Sequence, residues 1–209
     1  MKLLHLDSSI LGAASVTRTL TGAIVAKLRA TDPYLDVVYR DLAAAPLPHL
    51  ALNDLPADHP IVVAMGDAVP ARNADGDMIV DEFLASDIVV IGVPMYNFAV
   101  PSHLKAWVDR VVVRGKTFRY GAQGPEGLAG GKRVIIALAR GGVYSAGSPA
   151  AGMEHAESYL RAVLAVIGIS QPEIVIAEGL NMGPEARAKT VDAALATVAA
   201  LGAAVKAAA

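Results

Sequence analysis

Ile88-Val89-Val90-Ile91-Gly92-Val93-Pro94-Met95-Tyr96-Asn97-Phe98-Ala99-Val100-Pro101 carries both the signature of the fold and a candidate site. Its first four residues form a continuous apolar run, where a half-buried strand would alternate. Such a run belongs to a strand covered on both faces, as in a parallel sheet. Val134-Ile135-Ile136, inside a strand expected over Lys132–Ala139, repeats the pattern. With Ile88–Val93 and the apolar stretches Lys2–Asp7, Asp36–Arg40 and Gln171–Ala177, five strands are expected. Between them lie helical patterns. Val16, Leu20, Ile24 and Leu28 make one apolar face over Val16–Ala30. Similar reasoning predicts helices over Asp77–Ala85, Ser102–Val113, Glu154–Ile167 and Pro184–Lys206. Pro184 after Gly183 suits a first helical turn, where a missing N–H is harmless. Five strands alternating with five helices predict an α/β doubly wound five-stranded parallel sheet with helices on both faces. Pro46–Pro60 reads as an irregular excursion, and the glycine-rich segment Arg114–Gly131 as a long functional loop.

The 209 residues suit one domain, 1–209, with enough chain to bury a full sheet. Net charge is −2 and no basic stripe appears, which argues against nucleic acid as a partner. With no cysteine, disulfides and thiolate metal sites are excluded, and a cytoplasmic address is expected. The five histidines show no metal-ligand spacing, so no metal is expected. Asp7 interrupts any leader-like apolar core, and the Ala-rich stretch Ala193–Val205 is too short to span a bilayer. A soluble protein without membrane partners is the expectation.

In an open parallel sheet, ligands bind beyond the carboxyl ends of the strands, where strand order reverses. After the first strand, Ser9, Ser15 and Thr17 surround a Gly12-Ala13-Ala14 turn that leads into a helix. Ser15 suits an N-cap. Three hydroxyls beside free helix-start N–H groups also suit a neutral cradle for phosphate. After the third strand, Tyr96 and Phe98 cluster between two prolines in a chain with only 5% aromatic residues. Alone, that loop is a hydrophobic plug; at the sheet edge it can hold a flat heteroaromatic ring. After the fourth strand, Ala139-Arg140-Gly141-Gly142-Val143-Tyr144 offers paired glycines whose N–H groups can face developing negative charge.

Ser9 with Ser15-Val16-Thr17, then Pro94-Met95-Tyr96-Asn97-Phe98, Thr117-Phe118-Arg119-Tyr120, Gly124-Pro125-Glu126-Gly127-Leu128, Arg140-Gly141-Gly142, Glu178-Gly179 and Gly183-Pro184 follow in order along the chain. Together they resemble the FMN-dependent NADH:quinone oxidoreductase/azoreductase family. The resemblance implies a flavodoxin-like fold, noncovalent FMN, NADH or NADPH as donor, a quinone or azo substrate, and a homodimer with sites at the subunit interface. By position it implies that Ser9, Ser15, Val16 and Thr17 bind the FMN phosphate. Met95, Tyr96, Asn97 and Phe98 would pack on the isoalloxazine, and Ala139, Arg140, Gly141 and Gly142 would border its pyrimidine side. Asn97, Gly141 and Gly142 would support the flavin through backbone, with no catalytic side chain, and Phe118, Tyr120 and Tyr144 would line the substrate pocket. This chain departs from the pattern at Thr17, which keeps a hydroxyl. It departs also at Ala139, which leaves only backbone, and at Val163, where an aromatic can line the pocket.

Several motifs fail on inspection. Gly130-Gly131-Lys132-Arg133 lacks the P-loop hydroxyl and runs into a strand. No Gly-x-Gly-x-x-Gly follows the first strand, so a permanently housed dinucleotide is disfavoured. Trp107 and Leu104 lie at helical spacing and read as core. The rival class is a flavodoxin-type electron carrier without its own small-molecule substrate; a charge of only −2 and the long Arg114–Gly131 loop favour an enzyme.

Overall fold

The computed structural model describes residues 1–71 and 75–202. Five strands, β1 (Lys2–Asp7), β2 (Asp36–Asp41), β3 (Ile88–Pro94), β6 (Arg133–Ala139) and β7 (Glu173–Ala177), form one all-parallel sheet in the order β2-β1-β3-β6-β7. Strand order reverses between β1 and β3, so their carboxyl ends open on a common crevice.

The alternation of side chains sorts the sheet onto two cores. Leu3, Ile88, Val90, Ile135, Ala137 and Val175 pack with α1 (Val16–Thr31) and α6 (Pro184–Ala200) on one face. Leu4, Leu6, Val89, Ile91, Ile136 and Leu138 pack on the other with α3 (Asp75–Ala85), α4 (Ser102–Val111) and α5 (Glu157–Val166). Leu104 and Trp107 are buried there, with Trp107 edge-on to Phe83 at 5.9 Å. Gly92 sits opposite Asp7 in the ladder. A Cβ on Gly92 would stand 2.7 Å from the Asp7 carboxylate and 3.1 Å from the Thr21 methyl, so a bare backbone is what lets α1 close down.

The structure corrects several expectations. Arg114–Gly131 holds an antiparallel hairpin, β4 (Phe118–Gly121) and β5 (Gly124–Gly127), where a loop was expected. Its Gly and Pro content disguises it, because those residues disfavour strands and are tolerated in a short, exposed pair. The hairpin is pinned to the end of α5. Ala129 N–H donates to Ile167 O at 2.9 Å, and a Cβ on Gly127 would lie 2.1 Å from Gly168 N. A sixth helix, α2 (Pro60–Met65), follows the irregular segment, which itself contains a turn of 3₁₀ helix at Leu52–Asp54.

Helix ends also move. α4 stops at Val111 because the Thr117 hydroxyl donates to Val111 O and accepts from Val113 N–H. α5 starts at Glu157, since the Glu154 carboxylate stays outside and accepts from the N–H groups of Ala156, Glu157 and Ser158. α6 ends at Ala200, and positions 203–206 of the helix expected there lie outside the described residues. Among the described residues, no helix is long and apolar enough to cross a membrane.

Candidate functional site

Three loops meet at the crevice, and named contacts join them. After β1, Ser15 caps α1 by accepting from Arg18 N–H at 3.3 Å, and its hydroxyl lies 2.9 Å from that of Thr17. Capping and clustering therefore coexist. Ser9, Ser15 and Thr17 are all buried. The first-turn N–H groups of Val16 and Thr17 have no intrahelical acceptor. Among the described residues no other acceptor takes them.

The loop after β3 makes a tight turn in which Tyr96 and Ala99 exchange backbone hydrogen bonds at 3.0 and 3.1 Å. Its two central residues, Asn97 (φ 47) and Phe98 (φ 71), are both left-handed. Asn tolerates that conformation; a phenylalanine there costs roughly 1–2 kcal/mol. The Tyr96 hydroxyl accepts from Ile10 N–H at 3.2 Å and lies 3.5 Å from Ser9 Oγ, which ties this loop to the first. Met95 N–H donates to Ala139 O at 2.8 Å, and the Phe98 ring meets Tyr144 edge-on at 6.1 Å, which ties it to the third.

The third loop is held from behind. Arg140 is 1% exposed, its guanidinium 2.7 Å from Glu157, 3.3 Å from Glu154 and 3.5 Å from Glu178. Glu178 also accepts from the N–H groups of Tyr144 and Ser145 and from the Ser145 hydroxyl. Burial alone would raise the Glu178 carboxyl; the Ser145 hydroxyl, those N–H groups and Arg140 outweigh it and hold it below its ordinary value. Arg140 thus presents only backbone to the crevice. Among the described residues the N–H groups of Gly141 and Gly142 have no acceptor.

Ser9, Ser15, Val16, Thr17, Met95, Tyr96, Ala139, Arg140 and Gly141 border one cavity of about 210 Å³. Tyr96 also borders an open, mainly apolar groove of about 740 Å³ that includes Asn97, His155 and Tyr159. Burial pushes the Tyr159 phenol up to about 12, so it stays neutral in that groove. Phe98, Gly142 and Tyr144 flank the crevice without lining the smaller cavity. Phe118 and Tyr120 stand apart on the hairpin, edge-on to each other at 5.5 Å, with Tyr120 69% exposed. Val163 lines neither space and packs in the α4–α5 contact beside Trp107 and Leu160. Sequence reasoning missed Leu180, Asn181 and Arg187, which complete the smaller cavity. They follow β7, whose carboxyl end opens on the same edge; the Gly183-Pro184 helix start was the signal that places Arg187 one turn in.

The family model described as flavodoxin-like fold matches residues 1–201. A protein of Methylorubrum populi named FMN-dependent NADH:quinone oxidoreductase is 57% identical over 205 residues, 98% of this chain and 100% of the relative. The chain belongs to this family. A second FMN-dependent NADH:quinone oxidoreductase, from Xanthomonas campestris, is 56% identical, covering 96% of this chain and 99% of its own. The crystal structure of an azoreductase from Bacillus anthracis matches with a TM-score of 0.83 at 30% identity, over 96% of this chain and 97% of the other. Within the FMN-dependent NADH:quinone oxidoreductase family, the flavodoxin-like fold expected from the sequence is therefore the fold found.

Proposed function

We propose that this chain is an FMN-dependent oxidoreductase that takes electrons from NADH or NADPH and delivers them to a quinone or azo acceptor. One observation carries the reading: buried hydroxyls and open helix-start N–H groups line a cavity that Tyr96 joins to an apolar groove. That combination fits a ligand with a phosphate at one end and a flat ring at the other. Ser9, Ser15, Val16 and Thr17 would hold the phosphate. Met95 to Phe98 and Ala139 to Gly142 would hold the ring.

When bound, the flavin supplies hydride acceptance and donation, which no side chain can provide. The protein binds, orients and shields. The strained Asn97–Phe98 turn would fix the backbone beside the ring. The Gly141 and Gly142 N–H groups, aimed by the Arg140–Glu178 anchorage, favour negative charge beside them. The groove keeps its apolar walls for a flat acceptor. The active form is proposed as a homodimer, in which Phe118 or Tyr120 of one chain's exposed hairpin covers the groove of the other. Exposed Ile10 and Tyr120 support this reading.

Purified protein should be yellow and should release FMN, not FAD, on heat denaturation. Anaerobic addition of NADH or NADPH should bleach the flavin band, and a quinone should restore it. A colourless preparation that ignores added FMN would sink the assignment.

A further inference from the structure

Three guanidinium groups lie near the hydroxyl cradle, and two are committed elsewhere. Arg18 touches the cradle's edge by donating to Ser9 O at 3.0 Å, but its charge is compensated by the Asp41 carboxylate at 2.7 Å, and it also donates to Tyr39 Oη at 2.8 Å. Arg140 is caged by Glu154, Glu157 and Glu178. Arg187 is the third. It sits in the first turns of α6, half-buried, on the wall of the same cavity as Ser9, Ser15 and Thr17. Among the described residues no carboxylate pairs with it, and no Asp or Glu lines that cavity. α6 packs against α1 through Ala194 and Val198, and Lys27 donates to Ala199 O, so Arg187 is fixed opposite the α1 N-terminus.

An otherwise neutral cradle with one uncompensated cation on its wall is suited to a dianion. We propose that Arg187 binds the 5′-phosphate of FMN and makes this chain select FMN over riboflavin. The inference rests on the FMN reading above and adds a residue to it.

The test uses the full-length protein stripped of flavin and titrated with FMN or riboflavin, read by quenching of flavin fluorescence. R187A should weaken FMN binding about tenfold or more, the loss expected for a hydrogen bond to a charged group. Riboflavin affinity and the melting temperature of the stripped protein should stay unchanged, and R187K should recover part of the loss. The salt dependence of FMN affinity should also flatten in R187A. Equal weakening of FMN and riboflavin would mean a merely structural role and would overturn the proposal. So would unchanged FMN affinity, including the case where R187A raises only the KM for NADH and the cation serves the dinucleotide's pyrophosphate. If the unaltered stripped protein binds no FMN, the cofactor reading itself fails, and the Arg187 assignment fails with it.

Discussion

Ser15 does two things at once: it caps α1 through Arg18 N–H, and its hydroxyl touches that of Thr17 inside a buried, polar cavity. A cap alone would explain Ser15 but not a buried Thr17 hydroxyl whose neighbours are open N–H groups. Replacing Ser15 and Thr17 together with alanine should therefore weaken FMN binding by roughly 1–3 kcal/mol, the cost of losing hydrogen bonds to a charged group. Riboflavin lacks the phosphate and should respond far less. Equal losses for the two flavins, measured by fluorescence titration, would show that the hydroxyls serve only the helix. The strained pair Asn97 and Phe98 carries a different lesson. Asn97 is a residue type that tolerates positive φ, but nothing about Phe98 signals it, so the sequence marked this loop by its aromatics and not by its backbone. The conformation exists because the Tyr96–Ala99 bonds, the Tyr96–Ile10 contact and the Phe98–Tyr144 contact all restrain it.

Elements with strong periodicity were legible and those held together by context were not. All five sheet strands and all five long helices stand where the apolar pattern puts them, because burial on both faces leaves a composition signal. The β4–β5 hairpin has none, being short, exposed and glycine-rich, and it is fixed by contacts with the end of α5. Likewise, hydroxyls and paired glycines were visible in the first and third loops. Arg187 was not: the Gly183-Pro184 start places it one turn into α6, but only the packing of α6 against α1 brings it to the cavity. The hairpin bears its own prediction. If Phe118 and Tyr120 cover a partner's groove, their joint replacement by alanine should leave FMN content unchanged. KM for a quinone should rise several-fold, because lost aromatic contacts are worth about 0.5–1.5 kcal/mol beyond area burial. Loss of FMN content in that variant, by absorbance after gel filtration, would place the rings against the cofactor's binding walls instead.

Taken across the whole molecule, four carboxylates tie the crevice loops to the sheet, and each is held below its ordinary value. For Asp7, Glu154 and Glu178 burial pushes upward and is outweighed. The opposing groups are His5, Thr21 and Tyr39 around Asp7, backbone N–H groups and Arg140 at Glu154, and Ser145, N–H groups and Arg140 at Glu178. For Asp41 the Arg18 hydrogen bond leads. A lowered native value means that the stabilisation is fully present above the unfolded values near 4 and is lost as pH falls through the native ones. Urea midpoints should thus stay level from about pH 7 to 5 and drop below about pH 4, and Asp7→Asn should lower the plateau and shrink the drop; a D7N curve parallel to the parent's would refute the linkage. The same crevice sets the kinetic order. Nicotinamide and acceptor each need a flat wall beside the ring, and the open groove at Tyr96 and Asn97 offers one such space, while no dinucleotide fingerprint provides a second. The two substrates should then take turns, giving parallel lines when reciprocal initial rates are plotted against reciprocal NADH concentration at several quinone concentrations. If side chains at the crevice supply shape and not proton transfer, as proposed, alanine at Tyr96 or Tyr144 should slow turnover by less than the roughly 10²–10⁴-fold of a lost general acid or base. Intersecting lines, together with a ternary complex seen in binding, would require a separate nicotinamide site and would overturn the shared groove while leaving the cofactor assignment standing.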